Sequence, residues 1–187
     1  MQKNIPKEWF ARDAVIVAKE LLGKRIAYAG SSGVIVETEA YTTDPASHAH
    51  RITPRSEIMQ NTYGVFYIYF VYGMYFCLNI TTNKGSTGAV LIRALEPLTG
   101  IDIMKSRRKN TDVRDLTNGP GKLCTALGIT KELNGTEVNT TIRVCTGRAL
   151  DDAQIDTSSR IGITKGTDLD WRFFVKENAY VSKTSKK

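Results

Sequence analysis

Every second side chain of a β-strand points to the same face. In the stretch Gly33–Tyr41 this groups Ile35, Glu37, Glu39 and Tyr41 opposite Val34, Val36, Thr38 and Ala40. Two carboxylates and a phenol on one face are unusual for packing alone. One such carboxylate can serve as a general base on a water molecule. A pair at this spacing, about 6–7 Å apart, also suits acid/base hydrolysis of a glycosidic bond. In Ala89–Pro97 the residues Leu91, Arg93 and Leu95 share a face, and an arginine among leucines calls for a carboxylate or a phosphate. Tyr67 and Tyr69 share a face of one further strand; Tyr75, Cys77 and Asn79 share a face of the next. Stacked tyrosines suit a flat, electron-poor ring. Tyr72 stands beside Gly73 between those two strands, where an exposed ring could wedge between base pairs. Taken singly, each feature also has an ordinary reading: a solvated charge on an edge strand, a half-covered turn tyrosine, or the packing of a sheet core.

The elements that must position these residues follow from periodicity. Ala14, Val17, Ala18, Leu21 and Leu22 recur at helical spacing behind Asp13, and Gly23 ends the run. Lys24–Ala29 and Gly33–Tyr41 read as strands joined by the turn Gly30-Ser31-Ser32-Gly33. Residues 42–62 are polar and loop-like, with room for one helical turn after Pro54. Val65–Val71 and Met74–Thr82 form a hairpin about Tyr72-Gly73, and Ala89–Pro97 adds a third strand after the turn Asn83–Gly88. Helices are expected near Gly100–Arg108 and Pro120–Leu127, and weaker strands at Ile142–Cys145, Ile161–Thr164 and Phe173–Val175. Hairpin-linked strands with grouped helices predict a single α+β domain, 1–187, built on a curved, mainly antiparallel sheet with a protruding hairpin. Lys183–Lys187 reads as a frayed basic tail.

Composition narrows the function classes. The chain has 187 residues, enough for one domain with a real core. Three cysteines, Cys77, Cys124 and Cys145, and two histidines give neither a disulfide framework nor a zinc-ligand set, so a reduced interior and no metal are expected. No apolar leader or membrane-length run is visible, which predicts a cytoplasmic location without membrane attachment. The formal charge of +7 is spread along the chain, as a polyanion-binding face assembled from several segments would require. Gly119-Pro120-Gly121-Lys122-Leu123 is not a Walker loop, because Leu116 and Leu123 replace required residues. It reads as a helix start capped by Asn118, whose free N–H groups and Lys122 could hold a phosphate. Lys105–Lys109 reads as a solvated helix end.

Five segments in order carry a resemblance. They are Glu37-Thr38-Glu39-Ala40-Tyr41, Ala46-Ser47-His48, Tyr72 through Asn79, Leu91-Ile92-Arg93-Ala94-Leu95-Glu96-Pro97 and Gly119 through Leu123. Together they resemble the alkyladenine (3-methyladenine) DNA glycosylase family from about Ala11 to Leu127, with a weaker echo from Arg160-Ile161-Gly162 to Trp171-Arg172-Phe173. The resemblance implies excision of alkylated or deaminated purines from duplex DNA. Glu39 matches the general base that activates water, and Arg93 the arginine that helps hold that water and a nearby phosphate. Tyr41, His48 and Tyr69 match the walls of the flipped-base pocket. Asn79 matches the residue that crowds the exocyclic amine of guanine, and Tyr72 the side chain that fills the gap in the duplex. Ser56 departs from the family, which usually has asparagine there, and 58–63 diverges.

The expected enzyme is a monomeric, monofunctional glycosylase that uses neither metal nor cofactor and leaves an abasic site. Alkylated purines are good leaving groups, and no lysine is placed as a Schiff-base nucleophile. On this reading Glu37 is expendable. Two other readings stay open: a glycoside hydrolase using both Glu37 and Glu39, and a non-catalytic binder that uses the tyrosines for stacking.

Overall fold

A computed structural model of the chain describes residues 2–182. The basic tail Lys183–Lys187 lies outside the described residues. The apolar stripe behind Asp13 forms α1 (Ala14–Leu21), with Asp13 Oδ1 accepting from the Val15 and Ile16 amides at 2.8 and 3.2 Å. The chain then alternates through β1 (Arg25–Tyr28) and β2 (Ser31–Tyr41). Their turn is not Gly30–Gly33. Ala29 and Gly30 both take positive φ, 47° and 80°, the backbone a two-residue hairpin needs, so Ser31 already pairs with Tyr28.

The expected helical turn after Pro54 is α2 (Ile58–Asn61). The hairpin is β3 (Phe66–Val71) and β4 (Tyr75–Thr81), followed by β5 (Ala89–Thr99), α3 (Ile101–Arg108) and α4 (Pro120–Leu127). The remaining strands are β6 (Arg143–Cys145), β7 (Ile155–Ser158) and β8 (Arg172–Val175). The fold is α+β. An open antiparallel sheet runs β3-β4-β5-β2-β1-β6, with β8 pairing β2 beyond the reach of β1 and β7 closing on β8. Among the described residues all three cysteines are free and buried. No described helix is long and apolar enough to cross a membrane.

Two sequence expectations change here. Ile161–Thr164 is a turn, because Gly162 takes φ 78° and the Ile161 amide is committed to a side chain instead of a strand partner. β7 supplies the strand instead, from a segment too polar to announce itself. Lys105–Lys109 is not a solvated end either. Arg107 donates to the carbonyls of Leu127 at 2.8 Å and Ala126 at 3.2 Å, closing the C-terminus of α4, while Arg108 pairs with Asp115.

The main core lies where α1 and α4 cover one face of the sheet, with Val17, Ala18 and Leu21 against Ile35, Val36 and Ala40 and with Leu123 and Leu127 in the same cluster. Thr38 Oγ1 donates to the Ala18 carbonyl at 2.8 Å and ties β2 to α1. A second, smaller cluster of Ala49, Met59, Tyr67 and Ala89 lies outside this core and joins the loop 42–62 to β3 and β5. The cavity described next opens beside this second cluster.

Candidate active site

Two compensating bulges aim the charged side chains. Pairing of β2 with β5 runs Ile35↔Leu95, Glu37↔Ala94, Thr38↔Ile92 and Glu39↔Leu91, which leaves Val36 and Arg93 each without an opposite residue. Strict alternation therefore fails across them. Ile35 and Val36 both enter the core, as does Leu95, while Glu37, Glu39 and Arg93 meet on the other side. A bulge is what permits two acids and an arginine to converge beside an unbroken apolar layer.

The two carboxylates have different fates. Glu37 is fully buried and accepts four hydrogen bonds: Arg93 Nε at 2.8 Å, Arg172 Nε at 2.7 Å, and the Ser182 amide and hydroxyl at 2.7 Å each. Burial pushes its carboxyl up, but the guanidiniums of Arg93 and Arg172 and the hydroxyl of Ser182 together hold it below the usual carboxylate range. Glu37 is spent on structure and does not line the cavity. Glu39 is also buried, yet it touches three groups that do line it: Oε1 accepts from the Ile161 amide at 2.7 Å and faces Arg93 Nη1 at 3.1 Å, and Oε2 accepts from the Tyr41 hydroxyl at 2.8 Å. With a single protein donor, Oε2 keeps acceptor capacity for a water proton. Burial and the adjacent Glu39 carboxylate both raise Tyr41, so its phenol stays protonated and donating.

The cavity holds about 480 Å³, within the range that takes a small ligand. Register sets Tyr67 opposite Asn79 and Tyr69 opposite Cys77, and all four line it with Tyr41, His48 and Arg93. His48 meets the Tyr69 ring edge-on at 4.6 Å and shares a 3.0 Å hydrogen bond between Nδ1 and the Tyr67 hydroxyl. Burial, then the nearby Arg55 charge, lowers its pKa and keeps the imidazole neutral. Arg55 itself lies over the Tyr69 ring at 4.8 Å. Burial pushes the Cys77 thiol up, which makes it a poor nucleophile. Asn79 is buried and pinned, its Nδ2 donating to the Tyr67 carbonyl at 3.0 Å. Among the described residues no group of three or more His, Cys, Asp or Glu is placed to hold a metal.

At the rim, Tyr72 is 82% exposed and takes φ 53° beside Gly73 at φ 67°. A bulky side chain in the left-handed region is strained, and such strain gathers at functional sites. Phe70, Met74 and Tyr75 are also exposed around it.

A family model described as methylpurine-DNA glycosylase matches residues 8–179. The chain belongs to the methylpurine-DNA glycosylase family. Three relatives provisionally named 3-methyladenine DNA glycosylase cover nearly all of it. That of Carboxydothermus hydrogenoformans is 45% identical over 96% of this chain and 98% of its own. That of Agrobacterium fabrum is 44% identical over 96% and 93%. The Prosthecochloris aestuarii protein is 43% identical over 97% and 92%. Membership in this DNA-repair family places the chain among the DNA glycosylases that excise alkylated purines.

The residues expected at the site converge on the cavity, with one exception. Lys122 lies off the main cavity; its ammonium is held by Asp115 and by Asn118 Oδ1 at 2.8 Å. Asn118 thus does not cap α4, which begins at Pro120 behind Gly119 with no side-chain cap. Ser56 is buried, and its hydroxyl accepts from the Thr53 amide at 2.9 Å, so the divergent loop is held by its own turn. Sequence reasoning assigned no role to Arg55, Ile161, Arg160 or Arg172. For Arg160, Ile161 and Arg172 the echo around residues 160–173 is the signal in the sequence; Arg55 lies in the polar loop 42–62, which carries none.

Proposed function

We propose that this glycosylase flips a damaged purine into the 480 Å³ cavity and hydrolyses its N-glycosidic bond with a water activated by Glu39. The observation that carries the reading is the buried Glu39 carboxylate, hydrogen-bonded to Tyr41 and Ile161 and ion-paired with Arg93, directly behind a tyrosine-lined pocket. Glu39 Oε2 takes a proton from water while the water oxygen bonds to the sugar C1′. The C1′–N bond breaks, and its electron pair leaves with the base. An alkylated, cationic purine departs neutral and needs no acid. Tyr41, Tyr69 and His48 form the walls, and Arg93 balances the charge of Glu39 and orients the water. Arg55 and Arg93 are the basic residues lining the cavity, and no lysine lines it among the described residues, which supports a monofunctional enzyme without strand cleavage. A metal-free reaction by a monomer is part of the same proposal. The Asp115 partner makes Lys122 a phosphate contact only if duplex DNA displaces that pair. Base release is tested directly by chromatography of free hypoxanthine and 3-methyladenine liberated from damaged duplexes.

Asn79 sets the lower limit on guanine. Its pinned amide cannot swing aside for a 2-amino group. Asn79→Ser is expected to raise excision of guanine-type bases relative to hypoxanthine by about tenfold, the scale of one relieved small clash. An unchanged ratio of single-turnover rates would remove Asn79 from the selectivity account.

Tyr72 is the wedge. An exposed, strained ring has no stabilising role in the free protein, and a ring inserted behind the departing nucleotide offsets unstacking. Tyr72→Ala is expected to weaken lesion binding and reduce the extrahelical population by about tenfold, given an unstacking cost of a few kcal/mol. Tyr72→Phe should match wild type. Fluorescence of 2-aminopurine beside the lesion reads the population; equal rises in Tyr72→Ala and wild type would reduce Tyr72 to a turn residue.

A further inference from the structure

Arg160 is the most deeply placed cation whose charge the proposed chemistry does not use. Its side chain is fully enclosed, and it holds segments next to the cavity, of which only the Tyr41 ring it touches lines the cavity itself. Nη2 meets Asp44 Oδ1 at 2.6 Å, and Nη1 donates to the Ala40 carbonyl at 2.9 Å, between Glu39 and Tyr41 on β2. Nη2 also reaches the Gly166 carbonyl at 3.4 Å, and the guanidinium lies over the Tyr41 ring at 4.7 Å and the Trp171 ring at 5.2 Å. Asp44 in turn accepts from the Thr42 and Ala46 amides at 3.1 and 3.0 Å, which fixes the loop leading to His48. Immediately after Arg160, the Ile161 amide donates to Glu39 at 2.7 Å.

A buried ion pair is a poor route to stability, since apolar residues of similar volume serve as well or better. Here the pair is also incomplete: Arg160 Nε is buried without a partner among the described residues. A guanidinium does have one property that an apolar side chain lacks. Its planar fork fixes several acceptors in one geometry at once. The acceptors fixed here belong to the strand carrying Glu39 and Tyr41, the loop leading to His48, and Gly166 in the loop that follows the Ile161 turn; Ile161 itself is the next residue in the chain after Arg160.

We propose that Arg160 is a positioning residue for base excision, holding the Ile161 amide and the Tyr41 and His48 walls in register with Glu39. The inference rests on Glu39 being the general base. Displacement of a reacting group by about 1 Å costs on the order of 10²-fold in rate. Loss of the fork therefore slows bond cleavage and leaves binding of the duplex surface alone.

The test compares Arg160→Met, Arg160→Lys, Asp44→Asn and the double variant Arg160→Met/Asp44→Asn with wild type. Three quantities are read: single-turnover release of hypoxanthine, affinity for a duplex carrying a tetrahydrofuran abasic analogue, and the thermal midpoint. Arg160→Met strands the Asp44 charge and should lower the midpoint. The double variant removes that charge and should recover stability. The positioning role predicts that the double variant stays about 10²-fold slow despite the recovery, with affinity within about threefold of wild type. Arg160→Lys, with charge but no fork, should be intermediate. If rate returns with stability in the double variant, Arg160 only braces the fold and the proposal is overturned. Glu39→Gln, assayed alongside, separates this outcome from failure of the general-base reading: in that case Glu39→Gln would itself remain active.

Discussion

Glu39→Gln is expected to slow single-turnover base release by about 10²–10⁴-fold while lesion-duplex affinity stays nearly unchanged. The amide keeps the size of the side chain and can still accept from the Ile161 amide or the Tyr41 hydroxyl, but it cannot take a proton from water. Rapid-quench excision under enzyme excess, paired with a binding titration on the same duplex, measures the two quantities separately. A rate within about threefold of wild type would dismiss Glu39 as the base, because general-base removal does not come so cheaply.

Glu37→Gln should be nearly as severe for a different reason. Four donors converge on that carboxylate, two of them guanidiniums, and Glu37 itself does not line the cavity. Neutralising it leaves Arg93 and Arg172 with one buried carboxylate fewer, a loss of about 3–5 kcal/mol for a broken buried pair. Denaturant unfolding should show this loss, and a midpoint equal to wild type would contradict the network. The sign of the pH dependence follows from the folded carboxyl lying below its usual range. The stabilisation is present at neutral pH and is lost on acidification through the carboxylate range, so the variant should lose part of the acid limb of the stability profile. The sequence made Glu37 look expendable and its loss mild. Burial reverses that expectation. It also argues against the paired-carboxylate glycosidase, since Glu37 is engaged by four protein donors and does not line the cavity.

What could be read from sequence was what periodicity and local turn chemistry control. The helix behind Asp13, the hairpin around Tyr72-Gly73 and the shared face of Tyr67 and Tyr69 depend on nearest neighbours along the chain, and the structure keeps them. The bulges at Val36 and Arg93 are set by pairing between strands far apart in sequence, so no local pattern announces them. Arg160, Ile161 and Arg172 reach the site from more than a hundred residues beyond Glu39, in segments whose polarity resembles ordinary loop. Lys122 is the converse case. It sits in a recognisable motif, and its Asp115 partner, seven residues away around an irregular loop, is invisible to spacing rules.

Glu39-dependent base excision without strand cleavage can be followed with one duplex carrying a single hypoxanthine, incubated with excess wild-type protein or Glu39→Gln, then split into untreated and alkali-heated halves on a denaturing gel. An intact strand is expected in every untreated lane, with a break at the lesion only in wild-type samples heated in alkali. An intact strand in that lane, an equal break with Glu39→Gln, or a break before alkali would contradict that expectation.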